Sequence, residues 1–529
     1  MEERVAGTHD LQEGEMTTVL VGGKKVLLAK VDGQFYATAA RCPHWGGPLP
    51  EGTLHGPRLL CPWHKSIFDV RNGDLLEPPA LDGIAAFRVR IDGEDVYVDR
   101  SEEPRRGRTM PMYACDPVAD PRLVVVIGGG GAAAAAVEAL RQECFIGRVL
   151  LISPEDEWPY DRPNLSKDFL AGELDAKWLA LRSPEFYATH TIERRIARVT
   201  NLDVATRMIT LDDGSTLKPE AVLIATGAQP RRLAVPGADL PGVFTLRSRE
   251  DAEALIAAAG KAKRAVVIGA SFIGMEVAAS LVHRGLHVTV VGPGTTPFAH
   301  TLGEEVGRVV QACHLEHGTH FALGRTVGRF VGDMVVRAVE LDDGTTLDAD
   351  LVVVGIGVQP ATDFVRGVEL DPDGGLPVDD MLSVAPGVWA AGDVARYREP
   401  HTGRNVRIEH WRLAEQHGRA AAADIAGRGE PFTGVPFFWT QHFDLELGYA
   451  GAGQGWEEVV VVGDPAARDF TAFYADSDRL LAACGTQRDE IGAFVELMRV
   501  DALPAAGALR GRQTAGLPSL LGRLGGAAR

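Results

Sequence analysis

The hydrophobic pattern changes texture three times along the chain. From residue 16 to residue 100, short runs alternate apolar and polar positions and are cut by VGGKK, VDGQ, RNGD and IDGED. Alternation lays one face of each run on a core, and Asp-Gly and Asn-Gly pairs turn one strand into the next, so a small all-β unit is predicted. At RLVVVIGGGGAAAAAVEAL an unbroken apolar strand runs into a glycine turn and an alanine-rich helix, and AVVIGASFIGMEVAASLVHRG repeats that design about 140 residues later. RVLLIS and HVTVVG supply the strand that follows each helix. Two such βαβ units predict two α/β Rossmann-like lobes built on parallel strands. Beyond residue 432, EEVVVVGD, DFTAFYAD and RLLAACG return to strands and read as an α+β end domain.

The predicted organisation is multidomain. An all-β domain spans 1–105, and a charged, proline-punctuated linker spans 106–120. One dinucleotide-binding lobe comes in two pieces, 121–245 and 371–431, with a second lobe over 246–370 between them. An α+β C-terminal domain covers 432–529, and its Ala/Gly/Arg-rich tail is expected to be disordered or a weakly packed helix. A chain of 529 residues is long enough for this many cores.

Composition narrows the function. Hydrophobic content of 45% and charged content of 24% are ordinary for a globular protein. A net charge of −18 argues against nucleic acid or an anionic membrane as partner, since both need a basic face. The polar, acidic start MEERVAGTHDLQEGEM has no apolar signal core, and no run approaches about 18 apolar residues, so a cytoplasmic protein is expected. Six cysteines in this length make no disulfide framework, and Cys115, Cys144, Cys313 and Cys484 stand alone, as small buried hydrophobes do.

The remaining two cysteines sit in CPHWGGPLPEGTLHGPRLLCPWH, where Cys42-x-His44 and Cys61-x-x-His64 are separated by sixteen residues. Zinc sites more often group cysteines together and histidines together. Here each turn offers one thiolate and one imidazole, which suits a two-iron cluster with one iron on cysteines and the other on histidines. The glycines between them let backbone N–H groups approach the sulfides. The stretch resembles Rieske [2Fe-2S] domains over about residues 10–100, and the resemblance implies Cys42, His44, Cys61 and His64 as ligands. The two extra loop cysteines of respiratory-chain Rieske proteins are missing. The likeness is therefore to soluble Rieske ferredoxins, which implies the lower end of the potential range.

Each βαβ unit carries a phosphate-binding turn. The first is Gly128-x-Gly130-x-x-Ala133 and the second Gly269-x-Ser271-x-x-Gly274, whose central serine keeps backbone further from a phosphate. Around them, in order, come WPYDRPNLSKDFL (158–170), AVLIATGAQPRRL (221–233), GVWAAGDVARY (387–397), RIEHWRLAEQHGRAAA (407–422) and PFFWTQHFD (436–444). This set resembles the FAD- and NAD(P)H-dependent ferredoxin reductases with two dinucleotide domains. With the Rieske segment in front, it is most similar to the Rieske-containing, apoptosis-inducing-factor-like branch.

The resemblance implies the following roles. The first turn holds the FAD pyrophosphate. Arg162 and Lys167 face the flavin, and Thr226 and Gly227 pass beside it. Arg231 contacts a phosphate or ribose, and Asp393, after Gly392, bonds the ribityl chain. Glu409, His410, Trp411 and Trp439 line the ring. The second turn takes NADH or NADPH, with Glu276 and Gly357 near the nicotinamide. Lys167, Glu276 and His410 are the candidates for the reacting centre.

Two positions depart from the pattern. Where relatives place an acid for the FAD ribose the sequence reads SPEDE, so Pro154 occupies the place and Glu155 is the shifted candidate. The strand HVTVV ends in Gly292, with neither an acid nor an arginine pair to select a coenzyme. The Cys-x4-Cys pair of disulfide reductases is also missing, which argues against disulfide exchange.

The expected function is electron transfer from NAD(P)H through FAD to the [2Fe-2S] cluster, then from an exposed His44/His64 edge to a redox protein such as an oxygenase. The alternatives are a self-contained reductase of a small oxidant and a non-enzymatic redox sensor.

Overall fold

The computed structural model describes residues 2–100, 105–106 and 112–527. Residues 107–111 of the expected linker lie outside the described residues, while Arg105–Arg106 pairs with strand Ala85–Asp92 and extends the first sheet. That sheet is antiparallel, and the smaller four-stranded sheet Thr53–His55, Arg58–Leu60, Ile67–Asp69 and Leu75–Glu77 packs beside it. The all-β reading of the front of the chain therefore matches the structure.

Both lobes are built as the apolar strands predict. In the first, Leu123–Ile127 is the central strand, flanked in parallel by Arg148–Ser153 and Ala221–Ile224. In the second, Arg264–Ile268 is flanked in parallel by His287–Gly292 and Leu351–Val354. These strands are buried on both faces, which is why they read as unbroken Val/Ile/Leu runs. The chain passes between lobes slightly earlier than the sequence suggested. Val243–Phe244 already joins the second sheet, and Val365–Arg366 pairs back onto Leu202–Asp203.

The end domain is a five-stranded antiparallel sheet covered by helix Arg488–Arg499. The tail takes the helical form of the two expected, anchored rather than weakly packed. Its helix Leu517–Ala527 buries Leu517 and Leu521 in the end-domain core, and Glu490 accepts from the N–H groups of Gly516 and Leu517 at 2.9 and 3.0 Å.

The all-β domain docks onto the reductase body through buried charge. Glu77 accepts from Arg412 at 2.6 Å and from Gln416 at 2.7 Å, and the Arg412 side chain is fully buried. Glu496 of the end domain meets Arg58 at 3.0 Å and His55 at 3.1 Å. Leu60 and Ile67 enter the end-domain core beside Phe437 and Phe494. Among the described residues no helix is long and apolar enough to cross a membrane.

Candidate functional site

Each dinucleotide turn is shaped by backbone crowding. Gly128 has φ of +131°, and a methyl on it would lie 2.1 Å from the Ala225 oxygen; Gly269, at +114°, would meet the Gly355 oxygen at the same distance. Only glycine fits either place. Helix Gly131–Gln142 starts at Gly130 and helix Phe272–His283 at Ser271, neither with a side-chain cap. Their first N–H groups are thus left for an anion. Ala133 is buried inside the first helix, and Gly274 lets the second helix sit against its own turn, where a methyl would lie 2.0 Å from the Gly269 oxygen.

A cavity of about 910 Å³ runs between the lobes. Gly128, Gly130, Glu155, Arg162, Lys167, Thr226, Gly227, Ser271, Glu276, Gly357, Gly392, Asp393, Glu409, His410, Trp411 and Trp439 all line it. Ala133, Gly269 and Gly274 shape its walls from behind.

Arg231 is an exception. It is exposed, outside the lining, and its Nε donates to the Val358 oxygen at 3.0 Å, because strand Ala228–Pro230 turns the arginine away from the cavity. Arg247, which belongs to none of the five motifs, does reach the lining and meets Asp393 there at 2.9 Å. Glu155 is paired with Arg162 at 2.5 Å and accepts from the Tyr160 hydroxyl at 2.5 Å. The Trp411 ring presses on Gly131, where a methyl would come within 3.1 Å. Among the described residues no cysteine lines the cavity.

At the cavity wall the two lobes join through charge. Lys167 pairs with Glu276 at 2.8 Å, and the side chains are only 10% and 4% exposed. Glu276 also accepts from Ser166 at 2.6 Å and from Thr440 at 2.7 Å. Behind Thr440 a buried chain continues: its hydroxyl is 3.1 Å from His442, His442 is 3.3 Å from His314, and His314 is 3.2 Å from Thr319. Burial pushes His442 down to about 3, so its ring is neutral. His410, another lining residue, is likewise pushed down to about 3 by burial, and its Nδ1 has no protein partner. A buried, unpaired nitrogen in the wall of a cavity this size suits a polar-edged ring such as a flavin.

In the all-β domain Cys42, Cys61, His44 and His64 converge. Both cysteines are buried, and the two Nδ1 atoms lie 3.0 Å apart. An ion about 2.1 Å from each nitrogen spans that gap. Burial pushes His44 down to about 4, and burial, helped by His44 and Lys65, holds His64 well below the usual imidazole range, so both rings are neutral and their lone pairs are available to a metal. Gly47 makes room for sulfur, since a methyl there would lie 2.7 Å from Cys61 Sγ. The four residues fit a histidine-ligated [2Fe-2S] cluster.

The expectation of an exposed histidine edge is corrected. His64 lies 4.2 Å ring to ring from Trp439, and His44 lies 6.2 Å from it, because docking turns this edge inward. The exposed ring is the next residue, Trp45, 6.0 Å from His44.

Comparison with known proteins agrees with this geometry. Residues 2–88 match the Rieske [2Fe-2S] domain, 122–418 the pyridine nucleotide-disulphide oxidoreductase family, and 437–509 the reductase C-terminal domain. Apoptosis-inducing factor 3 of Homo sapiens is 37% identical over 525 residues, covering 97% of this chain and 86% of that protein. The ferredoxin reductase subunit of a 5,5'-dehydrodivanillate O-demethylase from Sphingobium is 36% identical over 348 residues, 65% of this chain and 84% of its own length. Putidaredoxin reductase, solved in covalent complex with putidaredoxin, superposes with a TM-score of 0.72 at 30% identity, over 77% of this chain and 99% of that one. The chain is thus a Rieske-fused member of the pyridine nucleotide-disulphide oxidoreductase family, an FAD- and NAD(P)H-dependent oxidoreductase of ferredoxin-reductase type.

Proposed function

We propose that the chain passes electrons from NAD(P)H through FAD to its own [2Fe-2S] cluster and on to a separate redox protein. Trp439 carries this reading: one residue lines the cavity and packs its ring on a cluster ligand, His64. When bound, FAD takes a hydride from NAD(P)H and yields electrons singly, which a [2Fe-2S] cluster accepts one at a time.

The chain's own residues supply position. The uncapped turn at Gly128–Gly130 would receive the FAD pyrophosphate, and Arg162, Asp393 and Glu409 would fix the rest of that cofactor. Gly227, His410 and Trp411 would border its ring. The turn at Ser271, with Gly357, would receive the coenzyme. Lys167 would place a cation at the buried wall, held there by Glu276.

Because the histidine edge faces Trp439, electrons would enter there, and the exposed Trp45 would mark the way out. The relatives support a protein acceptor: one is named as a subunit of a demethylase, and another was solved joined to putidaredoxin. An oxygenase component or a small ferredoxin has the right chemistry.

The test is His64→Ala. One iron loses a ligand, while the cavity is built from other domains. The variant should keep FAD and reduce ferricyanide with NAD(P)H at near the wild-type rate, yet lose transfer to cytochrome c or an oxygenase component. Full transfer to a protein acceptor in a variant lacking the cluster would sink the serial path.

A further inference from the structure

Away from the cavity, three donor side chains of different chemistry converge between the second lobe and the end domain. Cys313 and His317 stand one helical turn apart at the end of helix Gly303–Glu316. Asp444 sits in the tight turn after strand Phe437–His442. One ligand atom from each lies within 4.8 Å of the other two. The Asp444 Oδ1 atom is 3.6 Å from Cys313 Sγ and 3.9 Å from His317 Nε2.

The surroundings are those of a ligand set. The Nδ1–H of His317 donates to the Cys313 carbonyl at 2.8 Å, which leaves the Nε2 lone pair facing Asp444. The ring is fixed by stacking on Phe443, 4.0 Å away and 5° from parallel. The second carboxylate oxygen of Asp444 is held by Arg468 at 3.0 Å, as carboxylates on a metal commonly are. The His317 and Asp444 side chains are 37% and 64% exposed, so an ion can enter from solvent, while the sulfur is buried beneath them.

We propose that Cys313, His317 and Asp444 form a second metal site, for zinc, distinct from the cluster and bridging the coenzyme lobe and the end domain. One thiolate, one imidazole and one carboxylate is a borderline-soft set that zinc accepts and calcium or magnesium does not. With zinc about 2.3 Å from sulfur and about 2.0–2.2 Å from nitrogen and oxygen, tetrahedral donors lie about 3.3–3.7 Å apart, close to the distances found. Three protein ligands leave the fourth position to water. Binding breaks the covalent S–H bond of Cys313, which otherwise donates to the His442 carbonyl at 3.4 Å, and forms an S–Zn bond. The thiol proton passes to buffer; no electron moves.

The test uses holoprotein with FAD and cluster in place, stripped of adventitious metal and titrated calorimetrically with zinc ion. One zinc per chain should bind, with release of a proton. Cys313→Ser and His317→Ala should each weaken binding at least a hundredfold, and Asp444→Asn at least tenfold, with visible spectrum and iron content unchanged. His317 is partly exposed, so its variant answers the question even if Cys313→Ser folds poorly. X-ray absorption at the zinc edge should show one sulfur at about 2.3 Å. Two sulfurs would place the zinc at Cys42 and Cys61 and overturn the proposal. So would no binding at 0.1 mM zinc, or unchanged affinity in the His317 variant.

Discussion

The two lobes carry the same turn on the same scaffold, yet they treat the third position of the fingerprint differently. In the first lobe that position is Ala133, a buried methyl that the helix accommodates. In the second it is Gly274, where a methyl would lie 2.0 Å from the Gly269 oxygen. The second helix is thus seated directly on its turn, while the first leaves room for a side-chain methyl. The fingerprint glycines therefore report backbone crowding. What each lobe binds is read from the side chains gathered around the turn: Trp411, Asp393 and Glu409 at the first, Ser271 and Glu276 at the second.

The largest effect is expected where the lobes meet. Lys167→Ala leaves Glu276 buried without its cation, a loss of about 3–5 kcal/mol in comparable buried pairs. Stopped-flow reduction of the bound flavin by NAD(P)H should slow sharply, while dithionite should still reduce the cluster. An unchanged hydride-transfer rate would separate the pair from the chemistry.

Next comes the surface that neither fingerprint encodes, the docking of the all-β domain. Burial alone would raise Glu496, but His55, Arg58 and Arg499 outweigh it and pull it down to about 2. A carboxyl depressed on folding stabilises the protein fully above its unfolded value near 4.5, and that contribution is lost as pH falls toward 2. It amounts to on the order of 3 kcal/mol. Thermal unfolding of Glu496→Gln should show a lower Tm at pH 6 and a flatter acid limb than wild type.

The comparison itself breaks most directly with methyl swaps. Gly274→Ala should cost about 1–3 kcal/mol by overpacking and impair reduction by NAD(P)H. Ala133→Gly should cost about 1 kcal/mol and leave FAD bound. Equal costs in chemical denaturation would show that the two turns are packed alike after all.

The smallest effect concerns coenzyme choice. Gly292 is buried against Ala270 and presents no side chain, and the nearby Arg325 is paired with Asp343 at 3.0 Å. The kcat/KM values for NADH and NADPH should differ only modestly, with a lean to NADH. A ratio above about a thousandfold, or ~4 kcal/mol, would reveal a reader elsewhere.

Much of this was legible in the sequence because local motifs carry it. The apolar strands, the glycine turns and the Cys-x-His and Cys-x-x-His pairs each express a constraint within a few residues. Contacts across domains were not. Thr440 and Ser166 both donate to Glu276, and each sits beside a residue that its motif did flag, Trp439 and Lys167. Arg247 was missed and Arg231 over-read, since proximity to a motif does not fix the direction of a long side chain. The histidine edge was misjudged for the same reason: loop ligands look exposed until the partner surface, here Trp439, is known. The firm anchoring of the tail helix was missed because Ala/Gly/Arg composition hides the two leucines that hold it to the core.

The chain behind Glu276 has a direction. Paired with Lys167, this carboxylate accepts only, so the Thr440 hydroxyl hydrogen points at it. Thr440 must then accept from His442 Nε2–H, which leaves Nδ1 to accept from His314 Nε2–H, and His314 Nδ1 to accept from Thr319. One charge at the cavity wall thereby sets the tautomer of two imidazoles that never touch it. In Glu276→Gln the amide N–H can donate to Thr440 instead, and every hydrogen along the row then reverses. Nitrogen-15 shifts of His442 and His314 would therefore register events at the redox site from behind it, as a compass needle registers a current in a nearby wire.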